Sequence, residues 1–192
     1  MGLVEKGGKL LRRLVITLAA TVVVGANVVA ATAVAEPAAP LAGSDVQARS
    51  DLDKLVRNTP GARRVDATTV ELPSRGVVIK WNSPGTAKSV LGSCSFKFLC
   101  VFDQENFVGW EADFSQCIFD NLFTLPFPAG GDWHDKASSF INQQTTGTKV
   151  RWYNLSSDGS VWELWWVTGG AFETAASLGS GFNNFFDAVR PC

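Results

Sequence analysis

All four cysteines of this 192-residue chain, Cys94, Cys100, Cys117 and Cys192, fall between residue 94 and the last residue. What they can do depends on the compartment, and the N-terminus speaks to that. Lys6, Lys9, Arg12 and Arg13 precede a stretch from Leu14 to Val34 without a charged residue. Ala33-Val34-Ala35 then has the small-x-small form of a cleavage site. This is the order of a secretory signal peptide. Residues 1–35 are therefore expected to be a removed signal, the one part of the chain that meets a membrane, and the mature protein is expected to be secreted. An even cysteine count in an exported chain predicts two disulfides. Three pairings are open. Cys94–Cys100 with Cys117–Cys192 is favoured, because the second would tie down the C-terminus. A cysteine metal site is disfavoured: there is no C-x-x-C pair, and His134 is the sole histidine.

Charge divides the rest of the chain. Residues 36–93 carry eight basic and six acidic side chains, whereas residues 94–192 carry five and eleven. So acidic a C-terminal part lacks the cations that nucleic-acid phosphates require, and no nucleic-acid partner is expected. It suits a cation or a basic protein surface instead. Within residues 36–93, EPAAPLAG reads as a short linker. Ser44 then has the form of a helix N-cap, with Gln47 completing a capping box. Ala48, Leu52, Leu55 and Val56 come next at helical spacing, and Asn58, Pro60 and Gly61 stop the helix. Thr69–Leu72 and Val77–Trp81 read as strands, joined by a turn at PSRG. A helix and a hairpin this small cannot build a core alone. The segment is expected to dock on the C-terminal domain or to act as a removable leader.

From Cys94 onward the pattern is all-β. Short aromatic and β-branched runs, among them Phe98–Phe102, Lys149–Asn154 and Val161–Val167, alternate with Gly, Asn, Asp and Ser. Short strands at regular spacing predict a sandwich or a barrel. Within LCVFDQENFVGWEADFS (residues 99–115), Phe102 and Phe107 lie five apart, Gly109 is two further on, and Ser115 closes the pattern. A strand folding over into a tight hairpin would use these residues in distinct ways. The glycine takes a backbone conformation other residues resist, the aromatics plug the underside, and the serine bonds the folded backbone.

That spacing resembles the Greek-key signature of the βγ-crystallin family. The resemblance implies an all-β, two-Greek-key β-sandwich over residues 94–192. A second family motif, two Asn/Asp residues, two variable ones, then Ser/Thr-Ser, aligns with His134 to Ser139 in GGDWHDKASSFIN. A worn second copy starts at Val150-Arg151-Trp152-Tyr153 and ends in GSGFNNFFDAV, with Asn183 and Asn184 in the first positions and Asp187-Ala188 in place of the serines. In calcium-binding members these loops supply oxygen ligands, as a hard cation requires. The resemblance thus implies a degenerate calcium site built from Asp135, Ser138, Ser139, Asn183, Asn184 and Asp187, with His134 and Ala188 as departures. No other cofactor is expected.

More particularly, Cys94-x5-Cys100-x-Phe102, Asn106-Phe107-x-Gly109 and Asp135–Ser139 resemble secreted actinobacterial inhibitors of metalloproteinases. This implies a monomeric, non-enzymatic inhibitor of extracellular proteases. The alternative is a calcium-binding structural module, or one that binds cell-wall glycan through Trp133, Trp162, Trp165 and Trp166. A hydrolase built on His134, Asp135 and Ser138 is disfavoured. A triad needs three groups converging at hydrogen-bond distance, and neighbours in an extended chain point apart.

Overall fold

A computed structural model describes residues 43–84 and 94–192. The expected signal peptide and the linker after it lie outside the described residues. The first element is α1 (Gly43–Asn58). Its Ala48, Leu52 and Leu55 are buried as the periodicity requires, with Val56 packed at the margin. Gln47 donates to Asp51 within the helix. Asp45 accepts from the Trp81 indole at 2.8 Å, fixing the first turn to the sheet.

Three antiparallel strands come after the helix: β1 (Arg63–Asp66), β2 (Thr69–Leu72) and β3 (Val77–Asn82). The sequence pattern has no counterpart to β1. Its RRVD is largely exposed and shows no apolar alternation, so periodicity is silent there. Pairing to β2, with Arg63 on Glu71 at 2.6 Å, defines it instead.

The strands after Cys94 are β4 (Leu99–Phe102), β5 (Gly109–Phe114), β6 (Asp120–Asn121), β7 (Ser139–Asn142), β8 (Arg151–Leu155), β9 (Trp162–Val167), β10 (Thr174–Ala175) and β11 (Ala188–Arg190). They form two antiparallel sheets, ordered β1-β2-β3-β5-β4-β7-β10 and β6-β11-β8-β9. Each successive set of four strands sends its third strand to the opposite sheet. β6 leaves β4, β5 and β7, while β10 leaves β8, β9 and β11. The all-β sandwich expected from the strand pattern is the fold.

Residues 63–82 are built into the larger sheet as β1, β2 and β3. β3 pairs with β5 in register from Val77↔Phe114 to Asn82↔Gly109. Val70, Leu72, Val77 and Ile79 join the core that holds Leu99, Val101, Phe140 and Trp152. Under the smaller sheet lies an aromatic stack in which Trp166 packs on Trp152, Phe182 and Phe186. The register shifts between Trp152 and Tyr153, which pair with Trp166 and Leu164. The extra residue, Trp165, bulges outward and is 51% exposed. Trp133, a candidate platform residue, is buried.

Both favoured disulfides are present, Cys94–Cys100 and Cys117–Cys192.

Candidate functional site

The β4–β5 turn is a fold-over. Phe102 and Phe107 meet edge to face with ring centroids 5.6 Å apart. Gly109 has φ +82°, and a Cβ there would overlap the Asp103 carboxylate. That carboxylate accepts the Trp110 N–H at 2.7 Å. Burial pushes the Asp103 carboxyl up to about 6, against the Trp110 N–H, which favours its charged form.

Ser115 does not close this turn. Its hydroxyl donates to the Gly76 carbonyl at 2.7 Å, because β5 ends beside the β2–β3 turn. The serines that do close it come from β7 and its approach. Ser138 Oγ donates to the Asp103 carbonyl at 2.8 Å, and Ser139 Oγ to the Gln104 carbonyl at 2.6 Å. Ser139 Oγ also accepts the Phe107 N–H at 3.2 Å. Both hydroxyls are buried, so these bonds replace water they have lost.

The two aligned loops face each other with matching geometry. Asp135 and Asn184 both have positive φ, +53° and +54°. The Asp135 N–H donates to the Phe186 carbonyl at 3.1 Å, and the Asn184 N–H to the Ala137 carbonyl at 2.9 Å. Ser138 N–H reaches Phe102, while Asp187 N–H reaches Tyr153, at 2.8 and 3.0 Å. Asp187 thus stands where Ser138 stands in the first copy, and its Oδ2 accepts the Leu155 N–H at 2.9 Å. Ser138 Oγ lies 3.2 Å from Asn184 Oδ1, a direct link between the loops. Asn183 Oδ1 is buried and has no hydrogen-bond partner among the described residues. Burial raises the Asp187 carboxyl, opposed by the Leu155 N–H, and the nearby Asp135 and Asp132 charges add to the rise.

His134 has a different acid from its neighbour. Its Nδ1 contacts Asp132, its N–H donates to the same carboxylate at 3.2 Å, and its ring stacks on Phe123 at 4.3 Å. Asp135 is exposed, and Ser138 Oγ is committed to Asp103 and Asn184. The residues of GGDWHDKASSFIN form a clasp between the two copies, and they do not converge as nucleophile, base and orienting acid.

Two arrangements have no forerunner in the sequence pattern. One is the β8–β9 turn, residues 156–161. Asp158 accepts from the Ser156 hydroxyl at 2.6 Å and from the Ser160 hydroxyl and N–H at 2.7 and 3.1 Å. Ser156 Oγ in turn accepts the Val161 N–H at 3.0 Å. The Ser156 hydroxyl, then the Ser160 hydroxyl and N–H, lower the Asp158 carboxyl to about 2. The Asp-Gly pair in SSDGS was the available signal. The other is a buried cluster on the larger sheet, where Cys100, Glu111 and Asp113 place ligand-type atoms within 4.8 Å of one another. Cys100 is in a disulfide and offers no thiolate, so the cluster is not a thiolate metal site.

Fold and site together define a disulfide-bonded, two-sheet β-sandwich whose surface turns are fixed by their own hydrogen bonds. Residues 87–164 match the model of peptidase inhibitor family I36. That match bears out the resemblance to peptidase inhibitors carried by Cys94, Cys100, Phe107, Gly109 and Ser138–Ser139, all of which fall inside it. No curated protein and no solved structure matches the chain.

Proposed function

We propose that the chain is an exported, non-enzymatic inhibitor of extracellular peptidases, with metalloproteases as the first class to test. The match of residues 87–164 to an inhibitor family carries this reading. Two disulfides accord with an oxidising compartment outside the cell. The exchange of third strands between the sheets supports a βγ-crystallin-like pair of Greek keys as the scaffold.

The β8–β9 turn is the contact surface best suited to the role. A turn already held by its own hydrogen bonds loses little conformational freedom when a partner seizes it. Val161 and Leu164 beside it are 56% and 52% exposed, so the rigid turn carries an apolar flank. The test is inhibition of a panel of secreted metallo- and serine peptidases by residues 36–192, beside Val161→Asp and Leu164→Asp variants. The expected result is inhibition that both variants weaken while their circular dichroism is unchanged. No inhibition at micromolar concentration across the panel would remove the role. Full inhibition by both variants would move the contact surface elsewhere.

A second reading, a cell-wall glycan-binding module, draws on the outward bulge of Trp165. Binding to insoluble cell-wall polysaccharide that disappears in Trp165→Ala would favour it.

A further inference from the structure

The larger sheet buries charge on the face turned away from the main core. Lys80 on β3 stands opposite Glu111 on β5, and Asp113 lies two residues along on the same face. Lys80 Nζ contacts Asp113 Oδ2 and is 3.8 Å from Glu111 Oε1. Asn82 Nδ2 donates to Glu111 Oε2 at 2.6 Å. β4 seals the other flank, with Cys100 opposite Asp113 and Phe102 opposite Glu111. Those two residues belong to a small apolar cluster with Cys94 and Ile141. Glu111 and Asp113 are 0% and 1% exposed.

Two buried carboxylates and one ammonium, whose side chain is 24% exposed, would leave a net negative charge in a largely buried site, which burial penalises. The pair relieves it by keeping one proton. Burial holds the Asp113 carboxyl well above the usual range, and the charge and hydrogen bond of Glu111 add to this against the pull of Lys80. The group touching Lys80 is then a carboxylic acid, with a second carboxylate alongside to take the ammonium proton. Burial works against the Lys80 charge, but the Asp113 and Glu111 charges outweigh it and hold the ammonium above its usual range, so a proton must be drawn off before the nitrogen can attack.

We propose that Lys80 and Asp113 condense into an Nζ–Cγ isopeptide bond, with Glu111 relaying the protons. The amine nitrogen attacks Asp113 Cγ, and the N–C bond forms. Glu111 takes a proton from the nitrogen and delivers it to the departing hydroxyl, the C–O bond breaks, and one water leaves. No oxidant or external reagent is needed. Fixed contact between reacting groups supplies the driving proximity, since well-oriented intramolecular reactions reach effective molarities of about 10^5–10^8 M. Lys80 lies before the family-matched segment and Asp113 within it. The bond would make the leader hairpin a covalent part of the sandwich even where a peptidase cuts the chain between them. It does not depend on the inhibitory role.

The deciding measurement is the mass of the folded, secreted protein after denaturation and reduction. The expected mass is one water below that of the sequence after signal removal. Tryptic mapping should show Lys80 uncut, with peptide Gly76–Lys88 joined to peptide Phe98–Lys136. Lys80→Arg keeps the charge and should return the full mass. Glu111→Gln, checked as folded by circular dichroism, should keep the full mass or lose the water far more slowly. A wild-type chain of full mass with both tryptic peptides free overturns the bond. Condensation in Glu111→Gln at the wild-type rate overturns the relay.

Discussion

Gly109→Ala separates two costs that the fold-over imposes at one position. With φ +82°, the backbone lies in the left-handed region, where an L side chain costs about 1–2 kcal/mol. The added methyl would also overlap the Asp103 carboxylate and push it off the Trp110 N–H. A hydrogen bond to a charged group contributes about 1.5–3 kcal/mol, and the half-buried carboxylate is charged above about pH 6. The sum is about 2.5–5 kcal/mol, a large share of the about 5–15 kcal/mol that holds a typical domain together. Gly131→Ala is the matched control. Its φ is +79°, and a Cβ there meets no described atom within 4 Å, so only the conformational cost applies. Urea unfolding of both oxidised variants at about pH 8, monitored by tryptophan fluorescence, should place Gly109→Ala at least about 1.5 kcal/mol below Gly131→Ala, the lower bound for that hydrogen bond. Equal stabilities would refute the claim that the carboxylate sets the glycine requirement.

Asp103→Asn tests the half-buried acid itself. The folded carboxyl, at about 6, binds its proton more tightly than an unfolded one near 3.8. Its contribution is therefore full below about pH 4 and lost as pH rises through 6. Asn retains an acceptor for Trp110 without the titration, so it should gain on wild type by up to about 3 kcal/mol between pH 4 and 7. Parallel stability curves for the two proteins would contradict the shift. The disulfides should differ in worth. Cys117–Cys192 spans 75 residues and Cys94–Cys100 only 6, so paired Ala substitutions should cost about 4 and about 2 kcal/mol on the chain-entropy account. Denaturant midpoints in the reverse order would show that local packing dominates. Calcium should leave the melting temperature unchanged, because Ser138 Oγ and Asp187 Oδ2 are engaged in internal hydrogen bonds and His134 occupies the first loop position. A rise of several degrees on calorimetric titration would show that the two loops rearrange around a cation.

Legibility tracked the range of the interactions. Ala48, Leu52 and Leu55 declared α1 by spacing alone, and Phe102, Phe107 and Gly109 declared a fold-over because their contacts lie within one hairpin. The serine was misplaced for the complementary reason. Ser115 and Ser139 are both serines near a strand end, and only the pairing of β4 with β7 brings Ser139 to the turn. His134 and Asp135 looked like partners because they adjoin, yet Asp135 turns outward at positive φ and the ring meets Asp132. β1 and the exposed Trp165 were illegible, since one rests on pairing and the other on a bulge in the β8–β9 register.

By itself, the sequence determined the strand-rich class, the aromatic core, the helix α1 and the need for two disulfides, all properties set by composition and near-neighbour periodicity. Tertiary structure alone decided which cysteines meet, that β3 joins β5 in the larger sheet, and that Lys80, Glu111 and Asp113 share one largely buried site. Those outcomes depend on which strands lie side by side. Strand order is fixed by burying the whole apolar surface at once, and no local pattern of residues encodes it.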